Sequence, residues 1–248
     1  MNEKDQIIQI FRSRVQGKKP VKVPGEADGR QGHWLEEQFG IKANGDNAPD
    51  LLGFEMKNDT KSKTTFGDWQ ASKYIFDKKT GSISKSEFLE IFGAPNPAKD
   101  NRRSWSGKPF PNVKKWNDFG QKLLIQEDGS VFAVYNFSKD KRPDKEDIVP
   151  NEFRRGNIAL AVWEAARLKE LVENKFNIRG WFKCLKDESG TYSEIAFGSK
   201  ISFELFIDGV RRGAIYLDSG MYEGNARPYQ QWRADNSYWD SLIVERYR

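Results

Sequence analysis

The chain has 248 residues, enough for one large domain or two packed lobes, and its 13% aromatic content is typical of a folded chain rather than a disordered one. Its 41 Lys and Arg exceed its 36 Asp and Glu, and a net charge of +5 is compatible with a polyanionic partner such as nucleic acid. The single Cys184 and single His33 exclude disulfides and cysteine or histidine clusters, so any metal must be held mainly by carboxylates, which favour hard cations such as Mg²⁺.

The first part of the chain is predicted to mix helices and strands, because its apolar spacing changes from helical to alternating. The elements expected in order are a helix over 3–16, a basic linker from Lys18 to Pro24, a helix over 29–39, a loop from Ala43 to Pro49, strands over 50–57 and 65–76, and a helix over 85–92. No stretch approaches the roughly 18 apolar residues of a membrane span. The first residues carry no apolar signal core, so a cytoplasmic protein is expected.

The rest of the chain is predicted to form a loop, a hairpin, a long helix and further strands. The elements expected in order are a loop over 94–120, a hairpin with strands 123–126 and 131–137, a helix over 154–175, strands over 181–186, 195–207 and 210–217, and an irregular segment over 220–241. Asp208-Gly209 between apolar runs favours a tight turn that joins the last two strands. Helices and strands without regular alternation predict an α+β fold, or an α/β fold with a mixed sheet.

One acidic segment, Pro49 to Lys57, fits the nuclease pattern of an Asp, a short gap and then Glu-x-Lys. The pattern alone is weak, because the chain also contains the acidic-x-Lys triplets Asp59/Lys61, Asp77/Lys79 and Glu173/Lys175. Its context is more informative. In an extended strand Glu55 and Lys57 share one face, while Phe54 and Met56 point to the other, into a core.

The predicted active site therefore contains Asp50, Glu55 and Lys57, with Asp50 brought beside Glu55 by a bend at Gly53. Two carboxylates can hold Mg²⁺ with several waters retained, and Lys57 can steady the nucleophile or the developing negative charge. We interpret Asp50 and Glu55 as the metal ligands. Glu36, on the preceding helix, is interpreted as an auxiliary ligand or as a partner that orients Lys57.

Asp50, Glu55-x-Lys57 and the helical Glu36 resemble the MutH-like branch of the PD-(D/E)XK nucleases, and more narrowly the MvaI/BcnI family of type II restriction endonucleases. The resemblance implies one endonuclease domain over 1–248 with a restriction-endonuclease-like α+β fold, in which a catalytic lobe near 1–120, a recognition lobe near 121–248 and a shared helix near 154–175 form a DNA cleft. It also implies Mg²⁺ dependence, 5′-phosphate products and a monomer that reads a CC-N-GG-type site in double-stranded DNA. A cognate methyltransferase would act on the same site without needing to bind the protein.

Three segments are candidate DNA contacts. A hairpin at 206–212 would present Asp208, Arg211 and Arg212 to the major groove, where arginine reads guanine and acids accept from cytosine. A loop over 227–233 would offer Arg227, Gln230 and Arg233 as a second reading element. The basic stretch 96–122, which includes Arg102, Arg103 and Lys108, is expected to grip phosphates without reading sequence.

Three other functions remain open at the level of the sequence. A non-enzymatic DNA-binding protein would use the same basic surfaces and keep Asp50, Glu55 and Lys57 as a structural ion pair. A repair-type nicking endonuclease would cut one strand with the help of a partner. A structural or protein-interaction module would carry its charge by chance and would not bind duplex DNA.

Overall fold

The computed structural model describes residues 1–20, 30–42, 46–60, 62–77 and 82–248. The chain forms two compact units, of which the first contains 1–64, 171–203 and 234–248 and the second contains 65–170 and 204–233. Several predicted features lie outside the described residues, namely 21–24 of the linker, 43–45 of the loop, Lys61 and Lys79. The functional roles expected for the lobes near 1–120 and 121–248 remain predictions.

Helices and strands are mixed along the chain, which confirms the α+β class. The α-helices are α1 (Glu3–Ile10, continued as a π-helix over Phe11–Val15), α2 (Arg30–Phe39), α3 (Lys85–Phe92), α4 (Lys145–Ile148), α5 (Ala165–Phe176), α6 (Phe203–Arg211) and α7 (Asn236–Ser241). The strands are β1 (Glu55–Asn58), β2 (Lys63–Asp68), β3 (Lys73–Tyr74), β4 (Ala94–Asn96), β5 (Arg102–Trp105), β6 (Phe119–Ile125), β7 (Val131–Asp140), β8 (Ile158–Trp163), β9 (Trp181–Lys186), β10 (Tyr192–Gly198), β11 (Ile215–Ser219), β12 (Met221–Tyr222), β13 (Gln230–Asp235) and β14 (Ile243–Tyr247).

A mixed four-stranded sheet of order β1-β9-β10-β14 forms the centre of the first unit. Strand β1 runs parallel to β9, and the other pairs are antiparallel. One face packs against α1 and α2 through a shared apolar core that includes Ile7, Phe11 and Leu35. Phe54 and Met56 enter this core, so the predicted alternation along 54–57 is confirmed and Glu55 and Lys57 are left on the opposite face.

The second unit contains a four-stranded antiparallel sheet of order β3-β8-β7-β6 and two three-stranded sheets, β12-β5-β4 and β11-β13-β2. The predicted hairpin is confirmed, since β6 and β7 pair antiparallel with Ile125 opposite Val131. Helix α3 has the predicted bounds. It begins with a capping box in which Ser84 and Glu87 each bond to the other's backbone N–H.

The predicted helix over 154–175 is wrong in its first half. Residues Ile158–Trp163 form β8, which pairs with β7, and α5 begins only at Ala165. The apolar run therefore consists of a largely buried strand followed by a helix whose buried residues recur at Leu168, Val172 and Phe176. Because no break separates the apolar pattern of β8 from that of α5, the sequence resembles one helix with a broad apolar surface.

The predicted hairpin at Asp208-Gly209 is also wrong. Strand β10 ends at Gly198, and residues 203–211 form α6. Phe203, Phe206, Ile207 and Val210 are all buried, and their spacing is that of one helical face. The chain turns later, at Gly213, whose φ is +70°.

Two segments that were expected to lack regular secondary structure contain short strands and a helix. Strands β4 and β5 lie within the predicted loop 94–120, and β12, β13 and α7 lie within the predicted irregular segment 220–241. These strands are short, and much of their apolar surface is aromatic, so alternation is hard to recognise. In the described part of the chain, no helix combines the length and the apolar composition that crossing a bilayer would demand.

Candidate active site

A tight turn positions Asp50 beside β1. Leu51 and Phe54 exchange two backbone hydrogen bonds of 3.0 and 2.8 Å. The two residues that separate them, Leu52 and Gly53, have φ values of 51° and 83°, and positive φ at both central positions is typical of a two-residue type I′ turn. The turn confirms the predicted bend at Gly53, and it places Asp50 close to the strand that carries Glu55.

The Asp50 carboxylate is half-buried and accepts a hydrogen bond from the backbone. Its Oδ2 accepts a hydrogen bond of 2.9 Å from the backbone N–H of Met56. Burial and, to a lesser extent, the negative charge of Glu55 raise the pKa of Asp50 to about 6, although the Met56 N–H and the nearby lysines act in the opposite direction. Two acids close enough to repel each other in a partly dry site are an arrangement that a bound cation would stabilise.

Glu55 and Lys57 form a buried ion pair on the sheet face opposite the apolar core. Lys57 Nζ donates to Glu55 Oε1 at 2.8 Å, and the two residues are 8% and 2% exposed. The Lys57 ammonium also lies 5.2 Å from the ring centre of Phe176 and 5.7 Å from that of Trp239, which favours the charged form. Burial nevertheless lowers the pKa of Lys57, with Glu55 opposing that effect.

Lys175, at the end of α5, is a member of this group that the sequence did not reveal. Its Nζ lies 3.1 Å from Glu55 Oε1, the same oxygen that Lys57 contacts. The only signal in the sequence was the triplet Glu173/Lys175, which on a helix does not place both side chains on one face. The partner of Lys175 is more than a hundred residues away in sequence, and only the fold brings the two together.

The described contact of Glu36 is with a residue on its own helix. Its Oε2 is 3.1 Å from Nδ1 of His33 on the same helix, α2. Within the described ranges, no three His, Cys, Asp or Glu side chains converge as a metal site, so Glu36 does not join Asp50 and Glu55. Its predicted role as auxiliary ligand or as a partner of Lys57 remains a prediction.

The donor set of Asp50 and Glu55 fits a hard divalent cation. Glu55 Oε2 is buried, and no described donor forms a hydrogen bond to it. A buried carboxylate oxygen without a partner is costly, and a cation beside it would remove that cost. Mg²⁺ prefers carboxylate oxygens and retains several waters, which suits a site with only two acidic side chains.

The predicted base-reading residues on α6 lie at the surface of the second unit. Asp208 and Arg211 on α6, and Arg212 directly after it, are exposed, whereas the apolar face of the helix is buried. Arg212 Nη2 lies 2.7 Å from Asp208 Oδ2, one helical turn away. These side chains are therefore presented by a helix instead of the predicted hairpin tip.

The predicted reading element at 227–233 is divided between loop and strand. Arg227 is exposed, whereas Gln230 is 0% exposed and its side-chain amide has no hydrogen-bond partner among the described residues. Arg233, on β13, is held by Asp218 at 3.2 Å and by Gln231, whose Oε1 accepts from Arg233 Nε at 2.9 Å. Arg233 is thus a half-buried guanidinium whose orientation is fixed before any ligand arrives.

The basic stretch 96–122 also lies in the second unit. Lys108 is exposed, and Arg102 and Arg103 are half-buried on β5. The Arg102 guanidinium carbon lies 3.5 Å from the ring centre of Tyr222, close enough for stacking. Trp105 is fully buried and donates from Nε1 to Gln121 Oε1 at 2.7 Å, so it is a core residue of this unit.

Known proteins resemble this chain over nearly its whole length. Residues 16–247 match the sequence family described as LlaMI restriction endonuclease. The chain is 46% identical over 265 aligned residues to the type II restriction enzyme ScrFI of Lactococcus lactis subsp. cremoris, covering 98% of this chain and 97% of that protein. The solved complex of restriction endonuclease MvaI with its cognate DNA superposes with a TM-score of 0.64 at 12% identity, covering 100% of this chain and 98% of that chain. This last likeness confirms the restriction-endonuclease-like fold.

Proposed function

This chain belongs to the LlaMI restriction endonuclease family and is a type II restriction endonuclease, and we propose that Asp50, Glu55 and Lys57 are the active site with which it cuts both strands of DNA. The observation that carries the proposal is the buried Glu55 carboxylate. One of its oxygens binds two lysines, and the other has no described partner and lies in the same site as Asp50.

Asp50 and Glu55 would hold Mg²⁺ with one or both of their carboxylates. When bound, the cation supplies Lewis acidity and lowers the cost of placing a dianionic phosphorane-like charge in the site. The residues of the chain contribute orientation and charge. Met56 N–H fixes the Asp50 carboxylate at 2.9 Å, and Lys57 fixes that of Glu55 at 2.8 Å. The Lys57 ammonium also stabilises negative charge that develops on the phosphate.

The proposed reaction is hydrolysis of one phosphodiester bond in each strand. A water oxygen forms a bond to phosphorus while the bond from phosphorus to the 3′ oxygen breaks. The water gives up one proton, and the departing 3′ oxygen takes one up. The products are a 5′-phosphate and a 3′-hydroxyl, in agreement with the resemblance to the MvaI/BcnI family.

The proposed recognition sequence is of the CC-N-GG type. Arginine forms bidentate hydrogen bonds to guanine in the major groove, and carboxylates accept from the cytosine amino group. Among the predicted base-reading residues, Arg233 has a side chain whose orientation is already fixed, because Asp218 and Gln231 bind its guanidinium. Asp208, Arg211, Arg212 and Arg227 are exposed candidates for the same task, and Lys108, Arg102 and Arg103 would bind phosphates.

We further propose that the enzyme acts as a monomer in the cytoplasm of a bacterium. A methyltransferase that modifies the same sequence would protect the host DNA, and it need not contact the endonuclease. The curated relative comes from a bacterium, which supports this setting.

The direct test is digestion of a plasmid with the purified protein and Mg²⁺, followed by run-off sequencing of the product ends. We expect linear fragments with discrete ends at CC-N-GG-type sequences, and no cleavage in EDTA. Accumulation of open circles without linear DNA would instead support a nicking enzyme. Fragments that persist in EDTA would contradict the metal-dependent mechanism.

A further inference from the structure

Glu55 Oε1 is held by two lysines from different parts of the chain. Lys57 reaches it at 2.8 Å from two positions along β1, and Lys175 reaches it at 3.1 Å from the end of α5. The carboxylate side chain is 3% exposed, and that of Lys175 is 17% exposed. The site holds two carboxyl groups, of Asp50 and Glu55, and two ammonium groups, so charge balance alone does not explain why both lysines contact the same oxygen of Glu55.

Two consecutive residues at the end of α5 contact the site. Lys175 contacts Glu55, while the ring of Phe176 lies 5.2 Å from the ammonium of Lys57. Two ammonium groups on one oxygen repel each other, and that repulsion is one of the effects that lower the pKa of Lys57. Placing both ammonium groups on one oxygen, in a poorly solvated place where burying ions is costly, therefore has an energetic cost that Lys175 would avoid at a more distant position.

The two lysine contacts determine the orientation of the Glu55 carboxylate. Because both lysines bind Oε1, the carboxylate cannot rotate freely, and Oε2 is left without a described partner. Groups that orient a metal-binding side chain commonly determine the affinity and activity of the site. In this site Lys57 alone would leave the carboxylate free to pivot about a single contact.

We propose that Lys175 is a second positioning residue of the active site, which fixes Glu55 through Oε1 so that Oε2 is directed toward the divalent cation. The inference rests on the proposed function of Glu55. It assigns to Lys175 no contact with DNA and no proton transfer. Its contribution is the orientation of one carboxylate before the cation binds.

The first test uses the metal-free protein and is independent of cleavage. Thermal unfolding is measured in EDTA for Lys175→Met, Glu55→Gln and the double variant. We expect Lys175→Met to lower Tm in the wild-type background and to change it little in the Glu55→Gln background, because the same contact is lost in both. Lys169→Met is the matched control, since Lys169 lies on the same helix and pairs with Glu204 at 3.6 Å. Its effect should be the same in both backgrounds.

The second test measures single-turnover cleavage at saturating DNA as Mg²⁺ is increased. We expect Lys175→Met to be slower by about 10- to 100-fold even at saturating Mg²⁺, with unchanged DNA affinity in Ca²⁺. Lys175→Arg, which keeps the charge, should recover part of the rate, and Lys169→Met should match the wild type. If Lys175→Met does not fold, Lys175→Arg should still be slower than Lys169→Met.

Two results would overturn the inference. Additive Tm changes for Lys175→Met and Glu55→Gln would show that the two side chains do not act together. A wild-type rate in Lys175→Met at saturating Mg²⁺ would show that orientation of Glu55 does not depend on Lys175. An inactive wild-type protein would instead refute the proposed function, and the unfolding test would still report on the contact.

Discussion

The backbone N–H of Met56 donates a 2.9 Å hydrogen bond to the Asp50 carboxylate across the turn that precedes β1. Asp50 is six positions before Met56, yet the positive φ values of Leu52 and Gly53 fold the chain back and bring the two together. A backbone contact of this kind fixes the distance from Asp50 to the strand that carries Glu55 and Lys57. The turn is therefore part of the proposed active site.

Replacing Gly53 should impair both folding and cleavage. At a φ of +83° an alanine is strained, and its Cβ would lie 3.0 Å from Cδ of Arg179. Gly53→Ala should lower the free energy of unfolding by about 1–2 kcal/mol and also reduce the single-turnover rate, because Asp50 moves. Gly17→Ala is the matched control, with a φ of +76° and no atom within 4 Å of the added Cβ. It should lose similar stability and keep its activity, so equal rates in the two variants would contradict the role of the turn.

Leu52 is expected to be a site of stored backbone strain. It is not glycine, it has a φ of 51°, and its side chain is 39% exposed. Leu52→Asn should raise the free energy of unfolding by about 0.5–1 kcal/mol in urea denaturation, since asparagine tolerates this conformation better. Ile178→Asn, which removes another exposed apolar side chain without a positive φ, should not stabilise the protein. A Leu52→Asn variant less stable than the wild type would refute this assignment of strain.

The raised pKa of Asp50 should make the metal-free protein lose stability as pH increases. Burial, and then the charge of Glu55, raises the folded-state pKa to about 6 from 3.8, so the folded state holds its proton where the unfolded state has lost it. The stabilising contribution is complete below about pH 4 and is lost as pH rises through 6, with a total of about 3 kcal/mol. Urea unfolding in EDTA from pH 4 to 7 should show this loss in the wild type relative to Asp50→Asn. Parallel curves for the two proteins would contradict it.

Two basic residues of the second unit should affect DNA binding in different ways. Arg233→Ala should weaken binding to the cognate site by about 1–3 kcal/mol and leave binding to unrelated DNA almost unchanged, because a fixed guanidinium reads a base. Lys108→Ala should weaken binding to both DNAs alike and reduce the salt dependence by about one counterion. Fluorescence anisotropy in Ca²⁺ at several salt concentrations separates the two effects. Equal losses on both DNAs for Arg233→Ala would remove it from the base-reading residues.

Local sequence patterns correctly predicted those helices and strands that are separated from the next element by a clear break. The alternation in 54–57 placed Glu55 and Lys57 on the correct face, and the bounds of α3 and β9 followed from short apolar runs with clear ends. Patterns failed where two elements join without a break. The run that ends β8 and begins α5 reads as one helix, and Asp208-Gly209 reads as a turn although buried residues on both sides follow helical spacing.

The site could be predicted only as far as its residues are close in sequence. Asp50, Glu55 and Lys57 lie within eight positions, so strand alternation places Glu55 and Lys57 on one face and the turn at Gly53 brings Asp50 beside them. Lys175, Phe176 and Trp239 come from other elements, and their positions depend on how α5 and α7 pack on the central sheet of the first unit. The burial of Gln230 also could not be predicted. Its polar side chain suggests a surface position, but the residue is fully buried in the structure.

Asp50 and Glu55 are proposed to hold the cation required for cleavage, and every other proposed role in the site depends on this. The most direct measurement is plasmid cleavage in Mg²⁺ by Asp50→Asn and Glu55→Gln, with the exposed Glu37→Gln of α2 as control, alongside DNA binding in Ca²⁺ and thermal unfolding. We expect both active-site variants to fold, bind cognate DNA and produce no fragments, while Glu37→Gln cuts like the wild type. Cleavage by Glu55→Gln at the wild-type rate would contradict it.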